Sequence, residues 1–240
     1  MAGPLEQFEV KTLVPIHIGN VDASFTNASL FMVVAAVAVT AFITLGMRQR
    51  ALVPGRWQSL TEILYQFVAG MVRENVGNEG RAYFPFIFTL FVFILFANLI
   101  GLVPTAFTVT SHIIVTFALA GVVFVGVTII AIIKHGWKFL TYFVPHGTPA
   151  PMLPLLVPIE IISYLARPVT LALRLFANMT AGHTMLKVFA GFVVLLGVFG
   201  VAPMVVIVAL YGLELLVALL QAYVFAILTS LYLHDALHLH

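Results

Sequence analysis

The chain of 240 residues is 62% apolar and only 8% charged, with 11 Lys and Arg against 9 Asp and Glu. A soluble domain of this length carries about 60 charged residues, because about a quarter of its residues are ionic. The composition therefore excludes a soluble enzyme, a disordered segment and, since Cys is absent, a disulfide-stapled secreted module. The net charge of +2 comes without a basic cluster, so no nucleic-acid partner is expected. The sequence predicts a multi-span membrane protein in a lipid bilayer.

The first part of the chain predicts an outer segment over 1–27 and a membrane span over 28–47. About 20 apolar residues cross a hydrocarbon layer about 30 Å thick, and 28–47 provides them without a charge. The segment 1–27 lacks the basic-then-apolar layout of a signal peptide. The first span is therefore expected to direct insertion itself, as in a protein of an energy-coupling inner membrane.

The segment 56–75 is amphipathic. Its apolar side chains recur at helical spacing, and its polar side chains fall on the other side of the same helix. The apolar set is Trp57, Leu60, Ile63, Leu64, Phe67, Val68, Met71 and Val72, and the polar set is Gln58, Ser59, Glu62, Gln66 and Arg73. The pattern predicts an interfacial helix, and a soluble helix packed on a neighbouring subunit is the alternative.

Four more apolar segments complete the predicted fold. Two are clean spans, at 83–104 and 113–133, and a Pro-rich linker over 148–158 separates them from two longer segments at 159–202 and 203–233. Because the last two exceed a perpendicular crossing and carry charges, they are expected to tilt strongly or to pack against protein. The fold class is thus an all-α integral membrane protein, with about five membrane-embedded helices and one interfacial helix in a single membrane domain, 1–240.

Basic residues near the span ends predict the orientation. They follow the first and third spans, whereas the loop 105–112 has neither Lys nor Arg; they are Arg48, Arg50, Arg56, Lys134 and Lys138. The N-terminus is therefore expected outside and the C-terminus in the cytoplasm of a bacterial inner membrane, or correspondingly in a mitochondrial inner membrane. No internal repeat of the inverted-symmetry transporter type is evident.

A polar stripe runs along the predicted helix over 159–202. At 100° per residue, Arg174 and Asn178 lie within about 40° of each other, while His183 lies about 180° from Arg174. The stripe consists of Glu160, Ser163, Arg167, Thr170, Arg174 and Asn178. A charge at mid-bilayer costs about 2.5–3.5 kcal/mol on insertion scales, so these residues need a partner or a function.

The individual members of the stripe favour different interpretations. Arg167 lies near the start of the segment, which favours a structural or snorkelling role, and the same holds for Lys187. Arg174 lies deep in the apolar run and its guanidinium stays protonated, which disfavours a purely structural role. For Asn178, a simple bridge between two helices stays open.

The last segment carries Glu214 and Gln221 seven residues apart on one stripe, with Ala218 between them. Glu and His change charge near working pH and are suited to proton transfer. His183 and Glu214, on consecutive helices, are therefore predicted to form a proton-relay pair that titrates as one unit. A static buried ion pair is the alternative.

The remaining motifs predict no further chemistry. There is no Gly-rich phosphate loop and no metal-binding cluster, so neither a cofactor nor a metal is expected, and the chain is not expected to be an enzyme by itself. The terminal histidines, His234, His238 and His240, are expected to be a solvated end.

The sequence resembles subunit a of F-type ATP synthases, known as subunit 6 in mitochondria. The resemblance rests on the stretch Thr170 to Met179, with further matches at Glu160, Arg167-Pro168, Ala181-Gly182, Gln221 to Phe225 and Ala97 to Pro104. His183 with Glu214 fits the mitochondrial and α-proteobacterial arrangement, whereas many other bacterial members have the two residues exchanged. The N-terminal stretch Pro4 to Glu9 also resembles that group.

The resemblance implies a proton-conducting stator beside a rotating ring of c subunits, within the rest of the ATP synthase complex. Arg174 would face the carboxylate of the passing c subunit, help to release its proton, and keep two offset half-channels from short-circuiting. The inlet half-channel would be lined by Asn178, His183, Glu214 and Gln221, with Asn98 and His112 nearer the outer mouth. The exit half-channel would be lined by Glu160 and Ser163.

The same resemblance implies that the helix over 56–75 contacts the b subunits of the peripheral stalk, and that ATP chemistry resides on other subunits. Two other classes stay open from the residues alone. One is a self-contained ion-coupled secondary transporter or channel, and the other is a purely structural assembly subunit. Coupling to protons rather than sodium is expected from the His–Glu chemistry.

Overall fold

The computed structural model describes residues 9–15, 17–18, 21–22, 24–48, 54–103, 106–144 and 152–238. Six α-helices lie in this part of the chain: α1 (Asn27–Gly46), α2 (Arg56–Val76), α3 (Phe84–Gly101), α4 (Ile113–His135), α5 (Leu153–Leu196) and α6 (Val201–Leu237). Short 3-10 segments at Asn78–Ala82, Val109–Ser111, Gly136–Phe143 and Gly197–Gly200 join several of them. The predicted all-α class is confirmed.

Five of these helices, α1 and α3 to α6, are long and apolar enough to cross a membrane. The protein is therefore a multi-pass membrane protein. The exception is α2, which packs against α1, α3 and α6 and buries Val68, Met71 and Val72 while it exposes Trp57 and Ile63. The other helices of the described chain therefore cover only part of the apolar face of α2. That α2 lies in the membrane interface stays a prediction.

The segment before α1 contains short strands, which the all-helical prediction did not include. Strand β1 (Thr12–Val14) pairs antiparallel with β4 (Phe25–Thr26), and β2 (His17–Ile18) pairs antiparallel with β3 (Val21–Asp22). Val, Ile, Thr and Phe favour extended backbone, which explains these pairings in a segment with few strong helix formers. The last strand runs into α1, whose first turn is capped by the side chain of Thr26.

The two long helices begin and end elsewhere than predicted. Helix α5 starts at Leu153, so the chain from there to Pro158 is helical rather than part of a linker. A proline is tolerated in the first turn because its missing N–H would have no partner there, and Pro154 takes such a position. At the other end, Gly197 has a φ of +53°, a left-handed conformation that ends the helix before residue 202.

Side-chain contacts show that α5 and α6 run antiparallel. Residue 183 meets 214, 178 meets 221, and 167 meets 235. At 1.5 Å per residue the two helices are about 66 Å and 56 Å long, about twice the hydrocarbon thickness of a bilayer. Their tilt against the membrane stays a prediction.

The core lies between α3, α4, α5 and α6, and α2 and part of α1 pack into the same cluster. Its largest fully buried side chains include Ile94, Leu171, Leu175 and Phe225. Several predicted features lie outside the described residues: the stretch 1–8, Arg50, residues 148–151 of the predicted linker, and His240.

Candidate functional site

The helical period of α5 separates a buried face from an exposed one. Leu171, Leu175, Met179 and His183 recur every four residues and are all buried. Arg174 lies on the opposite side and is exposed. The side that faces away from the core is thus the side that carries the predicted polar stripe.

Arg174 has no ion pair or hydrogen bond from its side chain within the part of the chain that the structure describes. It lies seven residues, about 10.5 Å, from Arg167 and nine residues, about 13.5 Å, from His183 along the helix axis. On the same stripe Ser163 is exposed and Glu160 is half-buried. These two residues lie toward the N-terminal end of α5, away from His183.

His183 and Glu214 meet between α5 and α6. Nδ1 of His183 lies 3.4 Å from Oε1 of Glu214, and the two side chains are only 8% and 4% exposed. The close approach requires Gly182, because a Cβ there would lie 2.8 Å from Oε1 of Glu214. The structure thus places the two predicted partners side by side, while their role in proton transfer stays a prediction.

Thr108 is a contact of this pair that the sequence did not reveal. Its Oγ1 lies 2.9 Å from Nε2 of His183, and Thr108 is fully buried. It belongs to the short loop between α3 and α4, where Ser111 donates to the Thr108 carbonyl and accepts at its own carbonyl from Thr180. The signal in the sequence is the hydroxyl-rich run 108–111 in the loop between α3 and α4.

Three amide side chains lie between α3, α5 and α6. Asn178 donates to Oε1 of Gln221 at 2.7 Å, and Asn98 donates to the carbonyl of Ala218 at 3.2 Å. Asn178 therefore bridges α5 and α6, and its place in the inlet half-channel stays a prediction. Oδ1 of Asn98 and Nε2 of Gln221 are buried without a hydrogen-bond partner among the described residues. Buried polar atoms of this kind are normally met by water or by a partner.

His112 lies at the start of α4, next to the loop that holds Thr108. Its ring stacks on Phe107, with the centroids 4.8 Å apart, and burial lowers the pKa of His112 below its usual value. Among the described residues no hydrogen bond joins His112 to His183 or Glu214. The structure therefore puts His112 near the same end of the bundle as the pair, but not in direct contact with it.

Arg167 has partners within its own chain. Its Nη1 lies 3.2 Å from Oδ2 of Asp235, and its guanidinium lies 5.4 Å and 5.0 Å from the ring centroids of Tyr164 and Tyr232. An ion pair supported by two cation–π contacts fixes α5 to the end of α6. These contacts favour the structural interpretation of Arg167.

The described residues contain no group of three or more His, Cys, Asp and Glu side chains that could hold a metal ion. The polar atoms lie instead in a line along α5 and α6. From the end with the 106–112 loop, the order is the His183–Glu214 pair, the Asn178–Gln221 bridge, Arg174 and the Arg167–Asp235 pair.

The fold and this line of polar groups define a multi-pass membrane protein in which two long antiparallel helices carry the ionisable residues. The sequence model of the ATP synthase A chain family matches residues 29–234. A relative from Paramagnetospirillum magneticum is 57% identical over the whole of both chains. One from Parvibaculum lavamentivorans is 61% identical, over 98% of this chain and 93% of its own.

A third relative, from Rhodospirillum rubrum, is 54% identical over the whole of both chains, and all three are named ATP synthase subunit a. The chain belongs to the ATP synthase A chain family, the proton-translocating membrane component of the F0 sector. The resemblance seen in the sequence is therefore confirmed.

Proposed function

We propose that this chain is the stator of a proton-driven rotary motor, with two offset half-channels that deliver protons to a ring of c subunits and take them away. Arg174 separates the half-channels and favours the ionised form of the ring carboxylate that passes it. The observation that carries the proposal is the exposed guanidinium of Arg174, which has no ion-pair partner in the described part of its own chain. A permanent charge on an apolar helix needs a partner, and the ring carboxylate is that partner.

The inlet half-channel runs from the 106–112 loop past the His183–Glu214 pair to the Asn178–Gln221 bridge. Support comes from the burial of both titratable side chains and from the unpartnered polar atoms of Asn98 and Gln221, which lie further along the same helix interface. Such atoms suit a file of water molecules that hands protons along. His112 lies at the outer mouth.

The exit half-channel starts on the other side of Arg174, where Ser163 and Glu160 continue the exposed stripe of α5. Seven residues separate Arg174 from Arg167, and 14 separate it from Glu160, about 21 Å along the helix. Because inlet and exit groups lie on opposite sides of Arg174 along the axis, a proton bound to the ring must turn with it to get from one to the other.

The partners follow from the exposed faces. The c ring covers the Arg174 face of α5, where Met185 and Val188 are also exposed, and the b subunits of the peripheral stalk contact α2. The N-terminus lies outside and the C-terminus in the cytoplasm, because the Lys and Arg residues near the helix ends cluster on one side. The chain is not itself catalytic, and ATP is made on other subunits.

The proposal is tested by Arg174→Ala in the whole complex, reconstituted in vesicles. ATP-driven proton pumping, followed with a pH-sensitive dye, is expected to be lost, because nothing then drives the ring carboxylate to release its proton. Assembly of the complex is expected to stay normal, since the side chain has no partner that α5 packing depends on. The matched control is Thr170→Ala, one turn away on the same exposed stripe, which should pump normally. Normal pumping by an assembled Arg174→Ala complex contradicts the proposal.

A further inference from the structure

Thr108 is in contact with two groups through one hydroxyl. Its Oγ1 lies 2.9 Å from Nε2 of His183 and 3.2 Å from the carbonyl oxygen of Gly101. A threonine hydroxyl has one proton to donate and can accept at its lone pairs. Which of the two neighbours receives that proton therefore decides which nitrogen of His183 is protonated.

The hydroxyl proton of Thr108 is donated to the carbonyl oxygen of Gly101. Gly101 is the last residue of α3, and carbonyls in the last turn of a helix have no donor within the helix. Gly101 is also buried, and a buried carbonyl without a donor is unfavourable. Since Thr108 donates to this carbonyl, its oxygen accepts from His183, and Nε2 of His183 carries a proton.

We infer that Thr108 is a positioning residue that keeps Nε2 of His183 protonated by accepting its hydrogen bond. His183 then gains and loses protons at Nδ1, the nitrogen that faces Glu214. In the forward step, the O–H bond at Oε1 of Glu214 breaks and an N–H bond forms at Nδ1, which leaves a carboxylate and an imidazolium. The reverse step restores the neutral pair. Beyond Nε2 the hydrogen bonds end at the Gly101 carbonyl, which has no proton to pass on.

The inference rests on the proposed function and assigns different tasks to the two members of the pair. Glu214 stands on the through path. Both of its carboxylate oxygens are buried without a hydrogen-bond partner among the described residues, and Oε1 lies 3.4 Å from Nδ1 of His183. Oε1 exchanges its proton with His183, and Oε2 exchanges protons with water in the channel. His183 lies beside this path. It takes up a proton when Glu214 ionises and returns that proton to Glu214 afterwards.

The protonation of the ring nitrogens is measured directly by solid-state NMR on the whole complex labelled with ¹⁵N-histidine. Subtracting the spectrum of a His183→Gln complex isolates the signals of His183. Nε2 is expected to be protonated at every pH at which the complex stays assembled, with any change confined to Nδ1. A population of His183 with unprotonated Nε2 overturns the inference, since Thr108 would then be donating to the ring.

Pumping by substituted complexes provides a second, independent test. Thr108→Val keeps the shape but removes the hydroxyl, and is expected to slow ATP-driven pumping about tenfold, the lower end of the range for removing a partner that orients a metal-binding histidine. Thr108→Ser keeps the hydroxyl and is expected to retain most of the rate. The matched control is Thr229→Val, an equally buried threonine of α6 whose hydroxyl donates to the Phe225 carbonyl of its own helix.

The outcomes separate this inference from the proposed function. If Thr108→Val pumps normally, or if Thr108→Ser loses as much as Thr108→Val, Thr108 does not act through its hydroxyl and the inference fails. Arg174→Ala is measured in the same vesicles. Normal pumping there refutes the proposed function itself, whereas loss of pumping there with a normal Thr108→Val complex refutes the inference alone.

Discussion

The two arginines of α5 lie two turns apart on one stripe, but they differ in burial and in the partners of their guanidinium groups. Arg167 is half-buried, paired with Asp235 and flanked by two tyrosine rings. Arg174 is exposed and has no such partner in the described part of the chain. One guanidinium is therefore satisfied within the subunit, and under the proposed function the other is satisfied by a group of another subunit.

The two arginines differ in their partners and not only in their exposure. Each residue takes a permanent charge toward the hydrocarbon of an apolar helix, and each charge therefore needs a partner. A charge that is satisfied internally can be replaced as long as the packing around it is kept. A charge that is satisfied externally cannot, since its partner moves or belongs to another subunit. The comparison therefore predicts different consequences for changes in the two regions.

The largest expected effect is the loss of pumping in Arg174→Ala, and the next largest lies at the His183–Glu214 pair, about 13.5 Å further along α5. His183→Glu and Glu214→His each place two like groups 3.4 Å apart, so each is expected to reduce ATP-driven pumping about 100-fold, the scale of losing a general acid or base. The double exchange restores one acid and one base and should retain clearly more activity than either single variant. Pumping in reconstituted vesicles is the measurement.

The double exchange, compared with the two single variants, decides whether His183 and Glu214 act as a pair or independently. If the double exchange loses as much as both single variants combined, the residues act independently and the pairing has no functional meaning. Assembly of each complex is checked by the amount of subunit that co-purifies, so that loss of pumping is not confused with loss of the protein.

A smaller effect is expected in the region of Arg167. Arg167→Ala removes an ion pair and two ring contacts, which together stabilise the α5–α6 contact by about 1–2 kcal/mol. The midpoint of thermal dissociation of the complex should fall by a few degrees, while pumping per assembled complex stays near normal. Arg167→Asp combined with Asp235→Arg should recover part of the lost stability.

The opposite pattern would remove the distinction between the two arginines. If Arg167→Ala abolished pumping in complexes that are fully assembled and thermally stable, Arg167 would be part of the proton path. Arg167→Gln is the matched variant, because it keeps most of the stem that packs between the rings but not the charge.

The sequence predicted the parts of the fold that depend on helical periodicity and apolar length. The all-α class follows from apolar segments long enough to cross a bilayer, and the shared face of Arg174 and Asn178 follows from the helical period. It did not predict the short strands before α1, because pairs of two or three residues carry little pattern. It also placed the start of α5 too late, since prolines at helix starts resemble those of linkers.

The contacts across helices were only partly accessible. The His183–Glu214 proximity was predicted because both residues carry unusual chemistry on consecutive helices. The contact between Thr108 and His183 joins residues 75 apart in the chain, and the Arg167–Asp235 pair joins the beginning of one long helix to the end of the next. Such pairs depend on how the helices are set against each other, and no local spacing encodes that.

The central claim is that Arg174 faces a carboxylate of another subunit. A density map of the whole complex tests it most directly, through the distance between the Arg174 guanidinium and the nearest acidic side chain. The account predicts that this acid belongs to the ring and lies within about 4–6 Å, the range in which an opposite charge strongly favours ionisation. A map in which Arg174 turns away from the ring and binds a carboxylate of its own chain would contradict the account.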